Sequence, residues 1–188
     1  MIIRELTRAE VERVWEIDRR EVIEKVYHLR DGRLILEAEF FDMQGWPPGE
    51  GALYTPLLLD CHDRGGFFCG AFDGAALAGV AILESRFIGS RADQLQLKFL
   101  HVGRPYRRTG LGKTLFESAA QRARKMGAKK LYISATPSEN TIGFYMHLGC
   151  TLASEIDAEL FALEPEDIHL EYVLAEQPAP LAHPFTRQ

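Results

Sequence analysis

Apolar positions along the chain change period several times, and each change predicts an element. Met1 to Leu6 is a short apolar run that predicts a strand. Thr7-Arg8-Ala9-Glu10 follows, a hydroxyl at the cap with a carboxylate three residues on, which is the pattern of a capping box. Val11, Val14, Trp15 and Ile17 continue at helical spacing, and the mixed segment from Glu21 to Phe41 predicts more helix. Gly45-Trp46-Pro47-Pro48-Gly49-Glu50-Gly51 propagates neither a helix nor a central strand. Residues 42–66 are therefore expected to form an extended loop with a short element near Leu57 to Leu59, and loops of that length are often functional.

The second half is more regular. Phe67 to Phe72 and Leu77 to Phe87 predict two antiparallel strands around Asp73-Gly74, a dipeptide suited to a tight hairpin turn. Gln94 to Val102 alternates polar and apolar residues, the period of a strand with one buried face. From Gly110 the spacing becomes helical through Leu111, Leu115, Ala119, Ala123 and Met126 and closes at Gly127. Lys129 to Ala135 is a β-branched and aromatic run, so this stretch predicts a β-loop-α-β crossover. Thr141 to Leu148 predicts a short helix ended by Gly149, Leu152 to Phe161 and Ile168 to Leu174 a final hairpin, and residues 176–188 a loose tail.

Composition narrows the classes. A chain of 188 residues, 46% hydrophobic and 26% charged, can bury one sizeable core, here expected to span residues 1–175 as a single domain. A net charge of -5 argues against holding nucleic acid by the overall field. Cys61, Cys69 and Cys150 have neither disulfide-framework nor zinc-knuckle spacing, which fits reduced thiols in cytosol and no metal. The N-terminus becomes charged within four residues and no window approaches a membrane span, so a soluble, cytoplasmic protein without a membrane partner is expected. Cys61-His62-Asp63 holds residue types found in nucleophilic and metal sites, but in an extended segment neighbours point opposite ways and no second ligand pair has metal spacing.

The most informative stretch is Arg107-Arg108-Thr109-Gly110-Leu111-Gly112-Lys113-Thr114. Its Gly-Lys-Thr ending is that of a phosphate loop for nucleoside triphosphates, yet Arg107 stands where that motif needs its first glycine, and no following strand offers a magnesium-holding acid. What survives is the physics: glycines that permit close backbone approach, at a helix N-terminus whose free N–H groups and dipole favour an anion. A plain strand-to-helix turn with solvated cations is the alternative. A basic first turn opposes the helix dipole, which favours the anion.

Arg107-x-x-Gly110-x-Gly112, after a strand ending Leu100-His101-Val102, resembles the acyl-CoA pyrophosphate loop of the GNAT superfamily of N-acetyltransferases. Residues 138–149, with their Phe-Tyr-x-x-x-Gly ending, resemble that family's next helix. The resemblance is sharp over residues 94–150 and extends by element order from Met1 to Leu174. It implies a three-layer α-β-α fold with a twisted mixed, largely antiparallel sheet, and acetyl-CoA as cosubstrate without metal. It also implies that residues 20–66 shape the acceptor site.

The resemblance further implies residue roles. Backbone groups of Leu100 and Val102 would bind the pantetheine arm as an extra strand, one N–H polarising the thioester carbonyl. N–H groups from Arg108, Thr109, Gly110, Leu111, Gly112 and Lys113 would cradle the pyrophosphate, with Arg107, Arg108 and Lys113 adding charge. Tyr145, which spacing alone places in the core, would protonate the departing thiolate. Asn140 is a cofactor contact or, with Ser138, a helix cap. Candidate bases are Glu84, His101 and the acidic group Asp157, Glu159, Glu164, Glu166 and Asp167. The expected activity is acetyl transfer from acetyl-CoA to a primary amine of a small molecule or peptide by direct attack, with a noncatalytic acyl-CoA-binding or sensing module as the alternative. A homodimer fits the same reading.

Overall fold

A computed structural model describes residues 1–174, and the expected tail lies outside them. Among the described residues, nine strands form one seven-stranded sheet and one hairpin. The sheet runs β1 (Ile2–Glu5), β4 (Phe67–Asp73), β5 (Ala76–Ile88), β6 (Gln94–Val102), β7 (Lys130–Ala135), β9 (Ile168–Val173), β8 (Thr151–Leu152) in spatial order. All neighbours are antiparallel except β6 and β7, which are joined by the crossover helix α2 (Leu111–Lys125). The α/β class, the mixed sheet and the crossover therefore stand as the sequence pattern implied.

Alternation along the strands buries two cores, one on each face. Phe67, Cys69, Ala71, Ala81 and Leu83 pack with Leu115, Phe116 and Ala119 of α2 and Ile142 and Tyr145 of α3 (Glu139–His147). Phe68, Phe72, Val80 and Ile82 pack with Val11, Val14 and Ile17 around the 3₁₀ helix Arg8–Glu16 and with Leu58 and Cys61 of α1 (Glu50–Asp63). Thr7 and Glu10 close the expected cap: the Thr7 N–H donates to the Glu10 carboxylate at 2.9 Å, and the Glu10 N–H donates to the Thr7 carbonyl at 2.9 Å.

Four expectations are corrected. Glu21 to Phe41 is not helical: β2 (Glu21–Arg30) and β3 (Arg33–Met43) form a separate hairpin. Its turn is Asp31-Gly32 with φ of 49° and 73°, the two positive values that a tight hairpin turn requires. Residues 42–66 are not an extended loop, because α1 occupies most of them. Pro56 lies inside α1, where its fixed φ is helix-compatible and burial of Leu58 and Cys61 outweighs the lost hydrogen bond. The final hairpin is interrupted: β8 has two residues, and α4 (Ala158–Leu163), capped by the Asp157 carboxylate, fills the connection.

The fourth correction concerns β6. Ile82 pairs with Phe99 but Leu83 pairs with Leu97, so Lys98 is an extra residue that bulges the strand. The bulge puts Leu95 and Leu97 in one core and Phe99 in the other, so the strand does not keep a single buried face.

Candidate functional site

The bulge coincides with the end of β6–β7 pairing. The last pair is Gln96 with Tyr132, and beyond it the two parallel strands separate. The Gly103 N–H donates to the Ala78 carbonyl at 2.8 Å, which aims residue 103 at β5. Alternation then turns the N–H and C=O groups of His101 toward β5 and those of Leu100 and Val102 toward the gap. The Val102 carbonyl accepts from Arg107 Nε at 3.2 Å on that side.

The gap opens into a cavity of about 430 Å³. Its sheet wall runs from Gln96 to His101 and from Ser134 to Ser138, and Thr141 and Tyr145 of α3 close one side. The hairpin supplies another side with Ile23, Val26, His28, Glu39, Phe41 and Met43. It is held there by the Tyr27 N–H donating to the Pro137 carbonyl at 2.7 Å and by a bridge between Val26 and Ser138. Glu50 and Tyr54 of α1 and the segment from Leu160 through Asp167 complete the wall.

At the α2 end the backbone reverses through Arg108 (φ 61°) and Gly110 (φ 88°). Among the described residues, no intramolecular acceptor meets the N–H groups of Arg108, Thr109, Gly110, Leu111, Gly112 and Lys113. Six successive donors at a helix N-terminus form an anion cradle. A Cβ on Gly112 would stand 3.2 Å from the Phe144 ring, a tight contact, so glycine lets α2 seat closely against α3 beside those donors. Arg108 and Lys113 are exposed beside the cradle. Arg107 is half-buried and turned inward: besides the Val102 carbonyl it reaches the Arg19 carbonyl at 3.4 Å and the Glu21 carboxylate at 3.2 Å. It ties the loop to β2.

Tyr145 is buried against Phe116 and Phe144, and its hydroxyl has no hydrogen-bond partner among the described residues. Burial, then the negative charges of Cys150 and Asp167 when ionised, push its pKa up, so it stays protonated. Asn140 is exposed and donates to Glu21 at 3.1 Å, while Ser138 caps α3 by accepting from the Thr141 N–H at 3.2 Å.

The candidate bases separate. Glu84 does not line the cavity: Arg64 binds it at 2.9 and 3.2 Å and the Ser85 N–H donates to it at 2.9 Å. Burial would raise its pKa, but those partners outweigh burial and lower it. His101 lines the cavity, packed on Trp46 at 4.8 Å, and burial with help from Arg19 and Arg107 lowers its pKa to about 3. Asp157 is occupied by the Glu159 and Leu160 N–H groups. Glu164, Glu166 and Asp167 line the cavity. Ser134 Oγ donates to Asp167 at 2.9 Å, and the Tyr54 hydroxyl donates to Glu164 at 3.0 Å.

Cys61, His62 and Asp63 lie on α1, where Cys61 is buried, His62 packs on Phe68 and Asp63 pairs with Arg8. Sequence reading missed Trp46, Arg19 and Tyr54. Trp46 donates to the Ile17 carbonyl at 2.9 Å and lies under the Arg19 guanidinium, which pairs with Glu50 at 3.3 Å. The Asp-Gly turn at 31–32 was the available signal for the hairpin wall, but not for these three residues, which lie outside the hairpin.

Among the described residues, no helix is long and apolar enough to cross a membrane. The sequence model of the acetyltransferase (GNAT) family matches residues 29–150. No curated protein matches the chain in sequence. Among solved structures, it is similar to nourseothricin acetyltransferase at TM-score 0.68 and 18% identity, covering 93% of this chain and 98% of that one. Aminoglycoside 6'-acetyltransferase type Ii gives 0.63 and 16%, covering 95% and 100%. The PaiA N-acetyltransferase of Thermoplasma acidophilum, in complex with coenzyme A, gives 0.57 and 19%, covering 92% and 98%.

Proposed function

Because the chain belongs to the acetyltransferase (GNAT) family, we propose that it transfers the acetyl group of acetyl-CoA to a primary amine of a cationic small molecule or peptide. The observation that carries this reading is the run of six open N–H groups leading into a strand gap. That run fits a diphosphate, and the outward-turned Leu100 and Val102 backbone fits an extended arm that adds as a strand.

Acetyl-CoA supplies the activated carbonyl, and the amine nitrogen forms the C–N bond as the C–S bond breaks. The chain's residues do the rest. The cradle from Arg108 to Lys113 binds and orients, and a Leu100 or Val102 N–H stabilises the oxyanion. Tyr145 donates its phenolic proton to the sulfur. Glu164, Glu166 and Asp167 line the cavity, while Arg108 and Lys113 are exposed at the start of α2, outside its lining, a separation of charge that favours an ammonium in the cavity and a phosphate at the loop. Two similar structures are named for nourseothricin and for an aminoglycoside, which supports including amines of that kind among the acceptors tested.

Calorimetry with acetyl-CoA, followed by an amine panel read by thiol release, tests the reading. Binding and turnover are expected. Absence of heat would remove its foundation, and binding without thiol release for any amine would replace it with a sensing module.

A further inference from the structure

Resting on the reaction above, we propose that Asp167, held beside Glu164 at the open end of the β6–β7 gap, is the proton acceptor that turns the acceptor ammonium into a nucleophile. The other acids are engaged or set apart: Glu84 by Arg64, Asp157 by the start of α4, Glu50 by Arg19. Glu159 does not line the cavity. On the hairpin side of the wall Glu21 is paired with Arg107 at 3.2 Å and Glu39 with His28 at 2.6 Å. Of the other lining acids among the described residues, Glu164, Glu166 and Asp167, only Asp167 is anchored to the sheet through its side chain. Ser134, its donor, stands on β7 past the last pair with β6, so the carboxylate is fastened to the splayed end of the strand. The Asp167 N–H donates to the Glu164 carbonyl at 3.1 Å, which fixes the two acids side by side.

The groups facing Asp167 are Glu164 on its own segment, Arg19 ahead of β2, Tyr54 on α1 and Tyr145 on α3. His101 of β6 and Glu50 of α1 line the same cavity. Burial first, then the hydrogen bond and charge of Glu164, raise the Asp167 pKa to about 7, against the Ser134 donation and the Arg19 charge. A carboxylate near that value is roughly a thousandfold stronger proton acceptor than an ordinary aspartate, and it releases the proton readily afterwards.

The protons balance. The broken N–H bond leaves its electron pair on the amine nitrogen and its proton on an Asp167 oxygen, which later passes to solvent. The proton taken by the sulfur comes from Tyr145, which recovers one from the nitrogen as the amide forms. Base and acid thus stand on different elements of one cavity.

The test uses the full chain with acetyl-CoA and spermidine, an aminoglycoside, lysine and an alanine-initiated peptide, from pH 5 to 9. With the best amine, wild-type kcat/KM should rise with a midpoint near 7. Asp167→Asn should lose about 100-fold at neutral pH and lose that limb, with acetyl-CoA affinity kept. A stability readout separates this from misfolding. The folded Asp167 holds its proton up to about pH 7 against an ordinary 3.8, so its share of stability is full below 3.8 and lost as pH rises to about 7. Asp167→Asn should therefore match wild-type Tm at pH 3.5 and exceed it at pH 8. Glu164→Gln should move the midpoint to lower pH. An active Asp167→Asn with an unchanged limb, or an unmoved midpoint in Glu164→Gln, overturns the assignment and leaves the reaction standing. Wild-type binding without thiol release overturns the reaction and this assignment together.

Discussion

Residues 108–113 offer an anion six backbone N–H groups from one continuous turn, whereas the cavity beside the strand gap is walled by side chains of the hairpin, α1, and the segment from α4 to β9. The first end depends on what is missing: a Cβ at Gly112, and partners for the N–H groups. The second depends on what is present: Arg19 on Trp46 and Glu50, Tyr54 on Glu164, Ser134 on Asp167. A backbone site reads a shape common to every molecule with that phosphate and ignores side-chain drift at exposed positions. A side-chain site can be rebuilt one residue at a time, which suits the half of a reaction whose acceptor varies. Arg107 couples the two, with its guanidinium between the Val102 carbonyl and Glu21 of the hairpin.

Tyr145 lines the cavity from α3, next to the Phe144 that packs on Gly112, and its removal gives the largest expected effect. Tyr145→Phe should lower kcat by about 10²- to 10⁴-fold, the usual worth of a positioned acid. Acetyl-CoA affinity by calorimetry should stay the same, since the hydroxyl has no hydrogen-bond partner to lose among the described residues. A proportionate loss of affinity would instead make Tyr145 part of the binding end. Gly112→Val attacks that end alone. Its side chain meets Phe144 and pushes α2 from α3, costing one or two charge-assisted hydrogen bonds of roughly 1.5 kcal/mol or more each. Acetyl-CoA affinity should fall about 10- to 100-fold. Unchanged affinity would mean that the open N–H groups do not hold the ligand.

The same contrast explains what the sequence made legible. The loop is local: glycine spacing, helical period and the preceding strand all lie within twenty residues, so Arg107 to Lys113 could be read as an anion site from residues alone. The acceptor wall is nonlocal. Ser134 and Asp167 meet only because β7 pairs with β9, and Tyr54 meets Glu164 across 110 residues. Asp-Gly marked a hairpin at 73–74, and the same pair at 31–32 also closes a hairpin, but β2 and β3 bury only Ile23 and Val26, so their apolar pattern is weak. Pro56 pointed away from α1, although only its outer face and one hydrogen bond are affected. The Lys98 bulge leaves no trace in an alternation that continues unbroken through Phe99.

A milder perturbation separates the ends through the hairpin. Gly32 has φ 73°, and a β-branched residue in that left-handed region costs about 1–2 kcal/mol. Gly32→Val should lower Tm by about 2–8 °C. The hairpin carries Ile23, His28, Glu39 and Phe41 to the cavity, so the KM for the amine should rise while acetyl-CoA affinity holds. Equal changes in both would show that the hairpin and loop move as one unit through Arg107 and Glu21.

The smallest effect belongs to the exposed charges beside the cradle. Arg108 makes no ion pair or side-chain hydrogen bond among the described residues, so Arg108→Met removes charge without stripping a partner. A cation near a helix N-terminus opposes the dipole in the free protein, and its gain comes only with a bound anion through water. The expected loss in acetyl-CoA affinity is about two- to fivefold in dilute buffer, shrinking at high salt as the Debye length contracts. Gly112→Val should show no such salt dependence, since its loss lies in donor geometry. If Arg108→Met instead cost as much as Gly112→Val, side-chain charge would be the main source of affinity, and the backbone account of the cationic end would give way.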